Sequence, residues 1–595
     1  MTTLPERLAQ HARERPHAVA LRHKSLGIWN ETTWAEYAAV TAAAALGLAR
    51  LGVGAGDVVA IHSENRPEWV IADLAAQALG AISVGLYPTN PPAEVEYLLA
   101  DSTSKVLVAE DQEQLDKTLE VRERLPGLEH IVVVDTRGLR GYDESIIGWD
   151  DLLALGRADD DESSWESSWE TFWDGRAPGP GGGDVATLVY TSGTTGPPKG
   201  VMLTHDNIDA SIHHAAEVFD TTSRDQVLSY LPLCHVAEKI FTLWQALGAG
   251  YCVNFAESLD TVPDNLREVQ PTLFLGVPRV WERMHAGVQI RMHDSSRLKR
   301  ALYARAFKLP RSLASLVAFG ALRRRLGMNR CRLALSGAAP IAPEVLAYFA
   351  DIGVPMFEAY GMSESAGLGT INLPGDTRLG SVGKAVPGIE VSSAPDGELL
   401  MRGDSIFAGY WKRPDATAET VDADAWLHTG DVGRVDADGF WFITDRKKDI
   451  IITAGGKNIS PAEIENKLKV SPFVREAVVI GDRRKFLSAL VGIEADTVGN
   501  WAERQGIAHT TYADLCAKPE VVALVAAEVE RVNSELARVE SIREFRLIPK
   551  ELDHEDGELT ATQKVKRSAI AQQFAPLIGD IYGEANDPTS EEAGT

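Results

Sequence analysis

The chain has 595 residues, of which 45% are apolar and 24% are charged, and its formal net charge is −26 at pH 7. This composition is ordinary for a folded globular protein, and the length suffices for several domains. The negative charge repels nucleic acid and anionic membranes unless a local basic patch intervenes, so no nucleic-acid partner is expected.

The N-terminal region and the cysteines indicate a cytoplasmic protein. The first sixteen residues mix acids with bases and lack the apolar centre of a signal peptide. The most apolar window, 70–87, contains Asp73, Gln77 and two glycines, which favours a helix and a strand over a bilayer span. The four cysteines form no C-x-x-C pair, so buried thiols are expected. We expect at most peripheral contact, at the inner face of the membrane.

Helical and strand patterns alternate through the first 360 residues. An Ala-rich helix is predicted at 33–53, and a helix with one apolar face at 207–219. Strands are predicted at 57–63, 81–88, 105–110, 185–190, 200–204, 270–278, 331–340 and 354–361. An acidic stretch rich in Pro and Gly, 157–184, reads as an exposed connection. The alternation predicts an α/β fold with parallel sheets.

The pattern changes near residue 380. A hairpin signal at Asp438-Gly439 is typical of antiparallel strands, and five consecutive charged residues at 445–449 mark a domain boundary. Beyond them, a strand is predicted at "IIIT", 450–453, and Ser460 is predicted to cap a helix. Strands at 476–482 and 486–495 and a helix near 521–536 follow. We predict a large α/β domain with a β-rich subdomain, 1–446, and a small α+β domain, 447–595.

The loop "VYTSGTTGPPKGVMLTH", 189–205, predicts a phosphate-binding site. Its glycines let several N–H groups face one anion, its hydroxyls add donors, and its lysine adds a charge. A simple turn needs one or two such residues, and the spacing is not that of a Walker A loop. The predicted ATP- and phosphate-binding residues are Thr191, Ser192, Gly193, Thr194, Thr195, Gly196 and Lys199.

This loop resembles the signature of the adenylate-forming superfamily, which comprises acyl-CoA synthetases, luciferases and peptide-synthetase adenylation domains. The segments "LALSGAAP", "EAYGMSES", "HTGD" and "DRKKDIIITAGGKNISPAEIE" resemble further motifs of that family, in the same order. The segment "LFLGVPRVWERM" closely resembles a segment of long-chain fatty-acid–CoA ligases. The whole chain looks like the actinobacterial branch of that group. Together these motifs cover most of residues 184–567.

The resemblance implies an ATP site in the large domain. Asp431 would accept from both ribose hydroxyls, Tyr360 would stack on adenine, and Arg446 would donate to the ribose and phosphates. Glu364 would bind the Mg²⁺ that bridges ATP oxygens. The adenine- and ribose-binding residues implied are Gly337, Ala338, Tyr360, Gly361, Ser363, Asp431 and Arg446.

The resemblance also implies a mobile small domain. Lys448 would be the hinge, and Gly455, Gly456 and Lys457 would line the channel for the pantetheine arm of CoA. The family's catalytic lysine corresponds to Lys564. Many relatives carry glycine just before it, where this chain has glutamine, and Lys566 is the rival assignment.

The acyl site is less well defined by sequence. His235 would lie near the fatty carboxylate as a second catalytic residue, although a structural role is equally open. Lys239 stands where some relatives have an aromatic gate to the acyl tunnel. The apolar residues Leu273, Leu275 and Val277 fit either a tunnel wall or a buried strand.

The implied reaction joins a fatty acid to CoA, with ATP converted to AMP and diphosphate through an acyl-adenylate and with Mg²⁺ as cofactor. Two alternatives remain: a fatty acyl-AMP ligase that loads a carrier protein, and a nucleotide-binding relative without catalysis. The motifs do not fix the acyl chain length.

Overall fold

The computed structural model describes residues 2–143, 145–157, 170–175, 180–191, 197–454, 457–553, 556–560 and 564–583. An eight-stranded sheet lies at the centre of the N-terminal part. Its strands, in spatial order, are Gly409–Tyr410, Lys199–Thr204, Val185–Thr191, Ile82–Leu86, Val58–His62, Ser104–Ala109, His130–Val133 and Ile146–Gly148. The last six run parallel, and the first two are antiparallel to their neighbours.

Two further sheets contain both parallel and antiparallel pairs. One consists of Leu273–Gly276, Leu333–Ser336, Met356–Tyr360, Thr370–Ile371 and Lys384–Ala385. The other consists of Gln226–Ser229, Cys252–Phe255, Val19–Ser25 and Ile28–Thr33. In each sheet the three first-named strands are parallel, and the remaining strands are antiparallel. The carboxyl ends of the parallel strands supply the loops that carry the predicted adenine site.

Helices cover these sheets. Those of the N-terminal part are Leu4–Glu14, Trp34–Arg50, Pro67–Ala78, Pro92–Ser102, Gln112–Val121, Trp149–Gly156, His205–Phe219, Val236–Lys239, Gln245–Ala249, Val262–Val269, Pro278–His293, Arg297–Ala306, Arg311–Ala314, Gly320–Leu326, Pro343–Asp351 and Pro414–Thr420. Short 3₁₀ turns lie at Arg122–Arg124 and Ser363–Ser365, and π-helical turns at Ile240–Trp244 and Ser315–Phe319. Thr33 illustrates how a helix begins. Its hydroxyl accepts from the Glu36 N–H, and the Glu36 carboxylate accepts from the Thr33 N–H.

The β-rich subdomain is a four-stranded antiparallel sheet. Its strands, in order, are Ile389–Ser393, Glu398–Gly403, Leu427–Val435 and Trp441–Arg446. The last two form the hairpin predicted at Asp438-Gly439, and Gly439 has the positive φ of 86° that this turn requires.

The C-terminal part is a separate α+β layer structure. Its strands are Ile451–Ile452 with Asn458–Ile459, and Val474–Ile480, Leu487–Ile493 and Ile542–Leu547. Its helices are Pro461–Lys469, Ala495–Arg504, Tyr512–Ala517, Pro519–Asn533, Arg567–Gln573 and Ala575–Tyr582. Ser460 caps the first helix as predicted, since its hydroxyl accepts from the Glu463 N–H. The predicted α/β fold class is therefore confirmed.

The cores follow the predicted strands. Val59, Ala60 and Val84 of the central sheet are fully buried, as expected for parallel strands covered on both faces. A separate cluster around Leu490, Val491 and Val525 fills the small C-terminal part. All four cysteines are buried and free. Within the described ranges we find no helix that is both long and apolar enough to span a membrane.

Candidate functional site

An open cavity of about 2880 Å³ lies where the N-terminal part meets the C-terminal part. Residues from three sheets line it, together with residues from the small domain. The predicted site residues on its wall are Thr191, Lys199, His235, Gly337, Ala338, Tyr360, Gly361, Ser363, Glu364, Asp431, Arg446, Lys448 and Lys564. Segments that are up to 373 residues apart in the chain, from Thr191 to Lys564, are thus brought to one space.

A carboxylate held by two donors lies at the end of the β-rich hairpin. The Tyr360 hydroxyl donates to Asp431 Oδ2 at 2.6 Å, and Arg446 Nε donates to Asp431 Oδ1 at 3.0 Å. The backbone N–H of Asp431 donates to the Thr429 hydroxyl at 3.1 Å. Because Asp431 and Arg446 are directly paired across the hairpin, the β register itself fixes this ion pair. The carboxylate is therefore positioned rigidly toward the cavity.

A second buried carboxylate lies on a 3₁₀ turn after strand Met356–Tyr360. The Tyr410 hydroxyl donates to Glu364 Oε1 at 2.7 Å, and burial raises the pKa of the Glu364 carboxyl. The ammonium of Lys199 lies 4.8 Å from the centre of the Tyr410 ring. Tyr410 thus links the acidic residue predicted to hold Mg²⁺ with the lysine of the predicted phosphate loop.

Most of that loop lies outside the described residues. The structure places Thr191 at the end of strand Val185–Thr191 and Lys199 at the start of Lys199–Thr204, paired across an antiparallel ladder. The loop therefore joins two strands, as the sequence predicts. The predicted phosphate-binding residues Ser192, Gly193, Thr194, Thr195 and Gly196 belong to the part that is not described.

Backbone geometry shapes the predicted adenine site. Ala338 has a φ of +67°, a left-handed backbone conformation that residues other than glycine rarely adopt. A Cβ on Gly361 would lie 2.3 Å from the Gly367 carbonyl oxygen, so only glycine fits there. Glu358, on the same wall, accepts from the Ile341 N–H, and burial raises its pKa to about 8.

His235 begins a helix at the cavity wall. Its Nδ1 accepts from the Ala237 N–H at 3.1 Å, which leaves Nε2 as the nitrogen that carries the proton in the neutral ring. Burial, aided by the charge of Lys564, lowers the pKa of His235 to about 4. The imidazole is therefore neutral at pH 7, with one N–H available to a ligand.

Lys564 enters the cavity from the small domain. Its N–H donates to the Thr560 hydroxyl at 3.0 Å, and its carbonyl accepts from the Thr560 N–H at 2.7 Å. The side chain is open to the cavity, but protein surrounds that space. This burial, with the nearby charge of Arg446, lowers the pKa of Lys564 to about 8. Lys566 also lines the cavity, so lining alone does not separate the two lysines.

The predicted hinge and CoA segment lie at different distances from the cavity. Lys448 is exposed in the turn that follows strand Trp441–Arg446. Lys457 is also exposed, and its N–H donates to the Thr453 hydroxyl at 3.2 Å, but it does not line the cavity. Gly455 and Gly456 lie outside the described residues.

One side of the cavity is apolar. Leu275 and Val277 line the cavity, as a tunnel wall would, whereas Leu273 is completely buried in the strand. Both interpretations of this segment therefore apply, each to different residues. Lys239 lines no part of the cavity. Its ammonium is buried against Asp73 Oδ1 at 2.8 Å, so in this chain the gate position belongs to the core.

Several residues of the site escape sequence reasoning. Glu358 and Thr429 lie inside the segments "EAYGMSES" and "HTGD", but the sequence assigns them no role of their own. Tyr410 comes from a segment without a motif, and only the fold brings it to Glu364. The signal for Tyr410 was weak, because "AGYW" reads as an ordinary strand.

The chain matches two family descriptions. Residues 8–411 match the AMP-binding enzyme family, and residues 448–586 match the AMP-binding enzyme C-terminal domain. The second match begins at the turn after the Asp431 hairpin.

Named relatives match nearly the whole chain. A long-chain-fatty-acid–CoA ligase, FadD15 of Mycobacterium bovis, is 36% identical, with 97% of this chain and 96% of that protein covered. The long-chain-fatty-acid–CoA ligase ACSBG2 of Gallus gallus is 34% identical, with 97% of this chain and 80% of that protein covered.

Solved structures share the fold at lower identity. The adenylation domain of a carboxylate reductase from Mycobacterium chelonae superposes with a TM-score of 0.79 at 22% identity, covering 98% of this chain and 91% of that one. The anthranilate CoA ligase AuaEII, solved with anthranoyl-AMP, superposes with a TM-score of 0.72 at 22% identity, covering 96% of this chain and 97% of that one.

Proposed function

Because the chain belongs to the AMP-binding enzyme family, we propose that it is a long-chain fatty-acid–CoA ligase, which converts fatty acid, ATP and CoA to acyl-CoA, AMP and diphosphate. The observation that carries this function is the single cavity where Asp431, Glu364, Lys199 and Lys564 meet beside an apolar wall. A site for a charged nucleotide next to a site for an acyl chain is what acyl-adenylate formation requires.

In the first half-reaction the fatty carboxylate attacks the α-phosphorus of ATP, and diphosphate leaves. Asp431 accepts the ribose hydroxyls, and the loop ending at Lys199 holds the β- and γ-phosphates that depart. Catalysis here consists of positioning and charge stabilisation, without a protein nucleophile. Tyr360 and Arg446 keep the Asp431 carboxylate in place. Adenine lies against the wall formed by Gly337, Ala338, Tyr360, Gly361 and Ser363.

The donor set suits Mg²⁺ that arrives with ATP. The described residues contain no cluster of three or more potential metal ligands, but Mg²⁺ is commonly held by one or two carboxylates together with phosphates and water. Glu364 is a buried carboxylate on the cavity wall, and Tyr410 orients it. Glu364 would therefore hold the ion, which would neutralise phosphate charge when bound.

Two side chains act where the carboxylate meets the α-phosphate. Lys564, protonated at pH 7, stabilises the negative charge that develops there. Neutral His235 donates from Nε2 to the fatty carboxylate and so orients it without changing its charge. We prefer Lys564 to Lys566 because Lys564 lies close enough to Arg446 and Asp431 for their charges to affect its pKa. The charge of Lys564 in turn lowers the pKa of His235.

In the second half-reaction the small domain rotates about Lys448. The segment Gly455–Lys457 then replaces Lys564 at the cavity and guides the pantetheine arm, so that the CoA thiol attacks the acyl-adenylate and AMP leaves. The exposed position of Lys457 in the present orientation supports this exchange. Each face of the small domain would serve one half-reaction.

One experiment tests the proposal against its alternatives. The protein is incubated with ATP, Mg²⁺ and palmitate, with and without CoA, while diphosphate, AMP and thioester are measured. We expect diphosphate from palmitate in both cases, and thioester only with CoA. Adenylate that never becomes thioester would favour transfer to a carrier protein. No diphosphate with any fatty acid would favour a nucleotide-binding protein without catalysis.

A further inference from the structure

Two consecutive helical segments carry a dense positive charge on an acidic protein. Residues 297–325 contain nine Lys or Arg and no Asp or Glu, whereas the whole chain has a net charge of −26. They form Arg297–Ala306 and, after a short connection, the continuous run Arg311–Leu326 with its π-helical turn. We call residues 297–325 the basic hairpin.

Among the described residues, no carboxylate forms an ion pair with the basic hairpin. Within the part of the chain that the structure describes, no ion pair joins a carboxylate to any of the six basic residues of its first half. These residues, all exposed, are Arg297, Lys299, Arg300, Arg305, Lys308 and Arg311. The hairpin therefore forms a local positive field on a chain whose net charge is −26.

The basic hairpin also exposes apolar side chains. Of the fifteen exposed large apolar side chains in the described part of the chain, seven lie between residues 298 and 317. They are Leu298, Leu302, Phe307, Leu309, Leu313, Leu316 and Val317, and Leu316 is 83% exposed. Scattered apolar residues on a surface need no explanation, but such a concentration marks an interaction site.

Helical spacing collects these residues into stripes. Leu298 and Leu302 lie four residues apart on one face of the first helix, and their side chains are 72% and 46% exposed. Leu313, Leu316 and Val317 follow the spacing i, i+3, i+4 on the second run, while its Ala314 and Phe319 are buried. A leucine stripe bordered by Lys and Arg is the pattern of helices that lie in a membrane interface.

The basic hairpin adjoins the cavity. Arg325 and Leu326 at its end line the cavity, as do Val288 and Arg291 of the preceding helix. Leu259 is 59% exposed and also lines the cavity, so the wall opens to solvent nearby. The hairpin therefore adjoins the cavity at residues that are not among the predicted nucleotide-site residues.

We propose that the basic hairpin docks the protein on the surface of a membrane that contains anionic lipid. Its leucines enter the headgroup region, and its Lys and Arg side chains contact lipid phosphates. Nucleic acid would use the charges but leave the leucine stripes in water, so the combination favours lipid. A consequence that rests on the proposed function is that docking would bring the acyl side of the cavity to the phase where long-chain fatty acids dissolve.

Vesicle sedimentation of the full chain, without substrates, tests the docking. The probe is vesicles of phosphatidylglycerol mixed with phosphatidylcholine, compared with phosphatidylcholine alone. We expect about tenfold stronger partitioning to the anionic vesicles, and a decrease at high salt. The variants Leu298→Glu/Leu316→Glu and Lys299→Glu/Lys308→Glu should each lower the partitioning by about tenfold.

Two variants elsewhere serve as matched controls. Leu26→Glu changes a leucine that is 91% exposed, and Arg543→Glu reverses an exposed charge on the small domain, and both should bind vesicles as the wild type does. Unchanged melting curves, and unchanged adenylation of octanoate, which is soluble as monomers, verify that the hairpin variants fold.

Three results would overturn the docking proposal. The first is that the hairpin variants bind anionic vesicles as strongly as the wild type does. The second is that the control variants lose as much vesicle binding as the hairpin variants do. The third is a dimer in light scattering, without vesicles, that the Leu298→Glu/Leu316→Glu variant abolishes, because the surface would then be a contact between copies of this chain. If the protein instead bound vesicles but formed no adenylate, only the proposed enzymatic function would fail.

Discussion

Lys564 is the residue whose charge the first half-reaction needs most. Lys564→Ala should lower adenylate formation by at least about 100-fold, since it removes a cation from the charge-developing region of an enclosed site. Thioester formation from supplied acyl-AMP should stay within about threefold of the wild type. Diphosphate release and thioester yield are the two measurements. If Lys566→Ala gave this pattern and Lys564→Ala did not, the assignment would belong to Lys566.

The lowered pKa of Lys564 gives a pH prediction. The ammonium is charged below its pKa of about 8 and neutral above it, so kcat/KM for adenylation should fall as pH rises through about 8. Bound ATP is anionic and favours the charged form, so the fall in kcat should lie at higher pH. Lys564→Arg should retain weak activity without the alkaline fall, because a guanidinium does not titrate there. An unchanged alkaline limb in this variant would contradict the prediction.

Two substitutions separate the helix-capping role of His235 from its proposed contact with the fatty carboxylate. Asparagine and aspartate both cap helices well, so the two variants should melt at similar temperatures. His235→Asn keeps a donor near the fatty carboxylate, whereas His235→Asp places a second negative charge there. We expect adenylation with palmitate to fall about tenfold more in the aspartate variant. Equal losses in both variants would show that His235 serves only the helix.

Part of the site could be predicted residue by residue and part could not. Asp431, Glu364 and Lys564 lie in motifs, and all three reach the cavity. Tyr410 contacts Glu364 only because the edge strand Gly409–Tyr410 pairs with Lys199–Thr204, a contact between segments about 200 residues apart. A pairing of that range leaves no local pattern.

At the scale of elements, the sequence predicts strands and helices correctly where the pattern of apolar residues is long. The strands at 57–63 and 105–110 and the helix at 33–53 appear within a few residues of their predicted ends. The strand predicted at "IIIT" is only the two-residue Ile451–Ile452, since its partner Asn458–Ile459 is equally short. The length of a strand depends on its neighbour, which the sequence of one segment does not contain.

The helix that begins after His235 is held to helix Pro67–Ala78 by a buried ion pair. Lys239 contacts Asp73, and Asp73 also accepts from Ser83 and Gln77. Lys239→Met would leave the Asp73 charge uncompensated, at a cost of about 3–5 kcal/mol. We expect a melting temperature lower by several degrees. Lys24→Met is the control, because its partner Glu268 is 46% exposed and should cost under about 1 kcal/mol.

In the proposed mechanism, the second half-reaction depends on the turn at Lys448. Proline there removes no backbone hydrogen bond among the described contacts, but it fixes φ and restricts the residue before it. Lys448→Pro should lower thioester formation from acyl-AMP more than about tenfold while leaving adenylation within about threefold. Lys448→Ala, the control, should affect neither. Equal loss of both half-reactions would indicate that the proline disrupts folding instead of rotation.

At the scale of the whole molecule, the two parts meet through separate surface ion pairs. Arg504 donates two bonds to Asp294, at 2.9 and 3.0 Å, and Arg279 pairs with Glu494 at 2.9 Å. Ser460 adds a bond to the Asp445 carboxylate at 2.7 Å. The Arg504–Asp294 pair is exposed and contributes little by itself, so it would resist the proposed rotation of the small domain only weakly.

Reversing one of these charges should favour the other orientation. Arg504→Asp should lower adenylation up to about fivefold, and thioester formation from supplied acyl-AMP should not fall. The exchange Arg504→Asp/Asp294→Arg should restore adenylation, because it rebuilds the pair with opposite polarity. Failure of the exchange to restore activity would mean that the effect lies elsewhere.

The basic hairpin shows what a chain-wide average conceals. A net charge of −26 argues against anionic surfaces, yet residues 297–325 hold nine positive charges and no negative one. A running count of charge along the sequence would have found this segment. Its exposed leucines required the fold, since the sequence alone does not show which face of a helix is covered.

The small domain places Lys564 on the cavity wall and Lys457 away from it, and this difference has a kinetic consequence. Lys564 lines the cavity and Lys457 does not, so under the proposed mechanism the protein offers the residues of only one half-reaction at a time. CoA would then bind productively only after diphosphate has gone. Steady-state rates measured against ATP at several CoA concentrations should form parallel lines in a double-reciprocal plot, the signature of a ping-pong order of substrates.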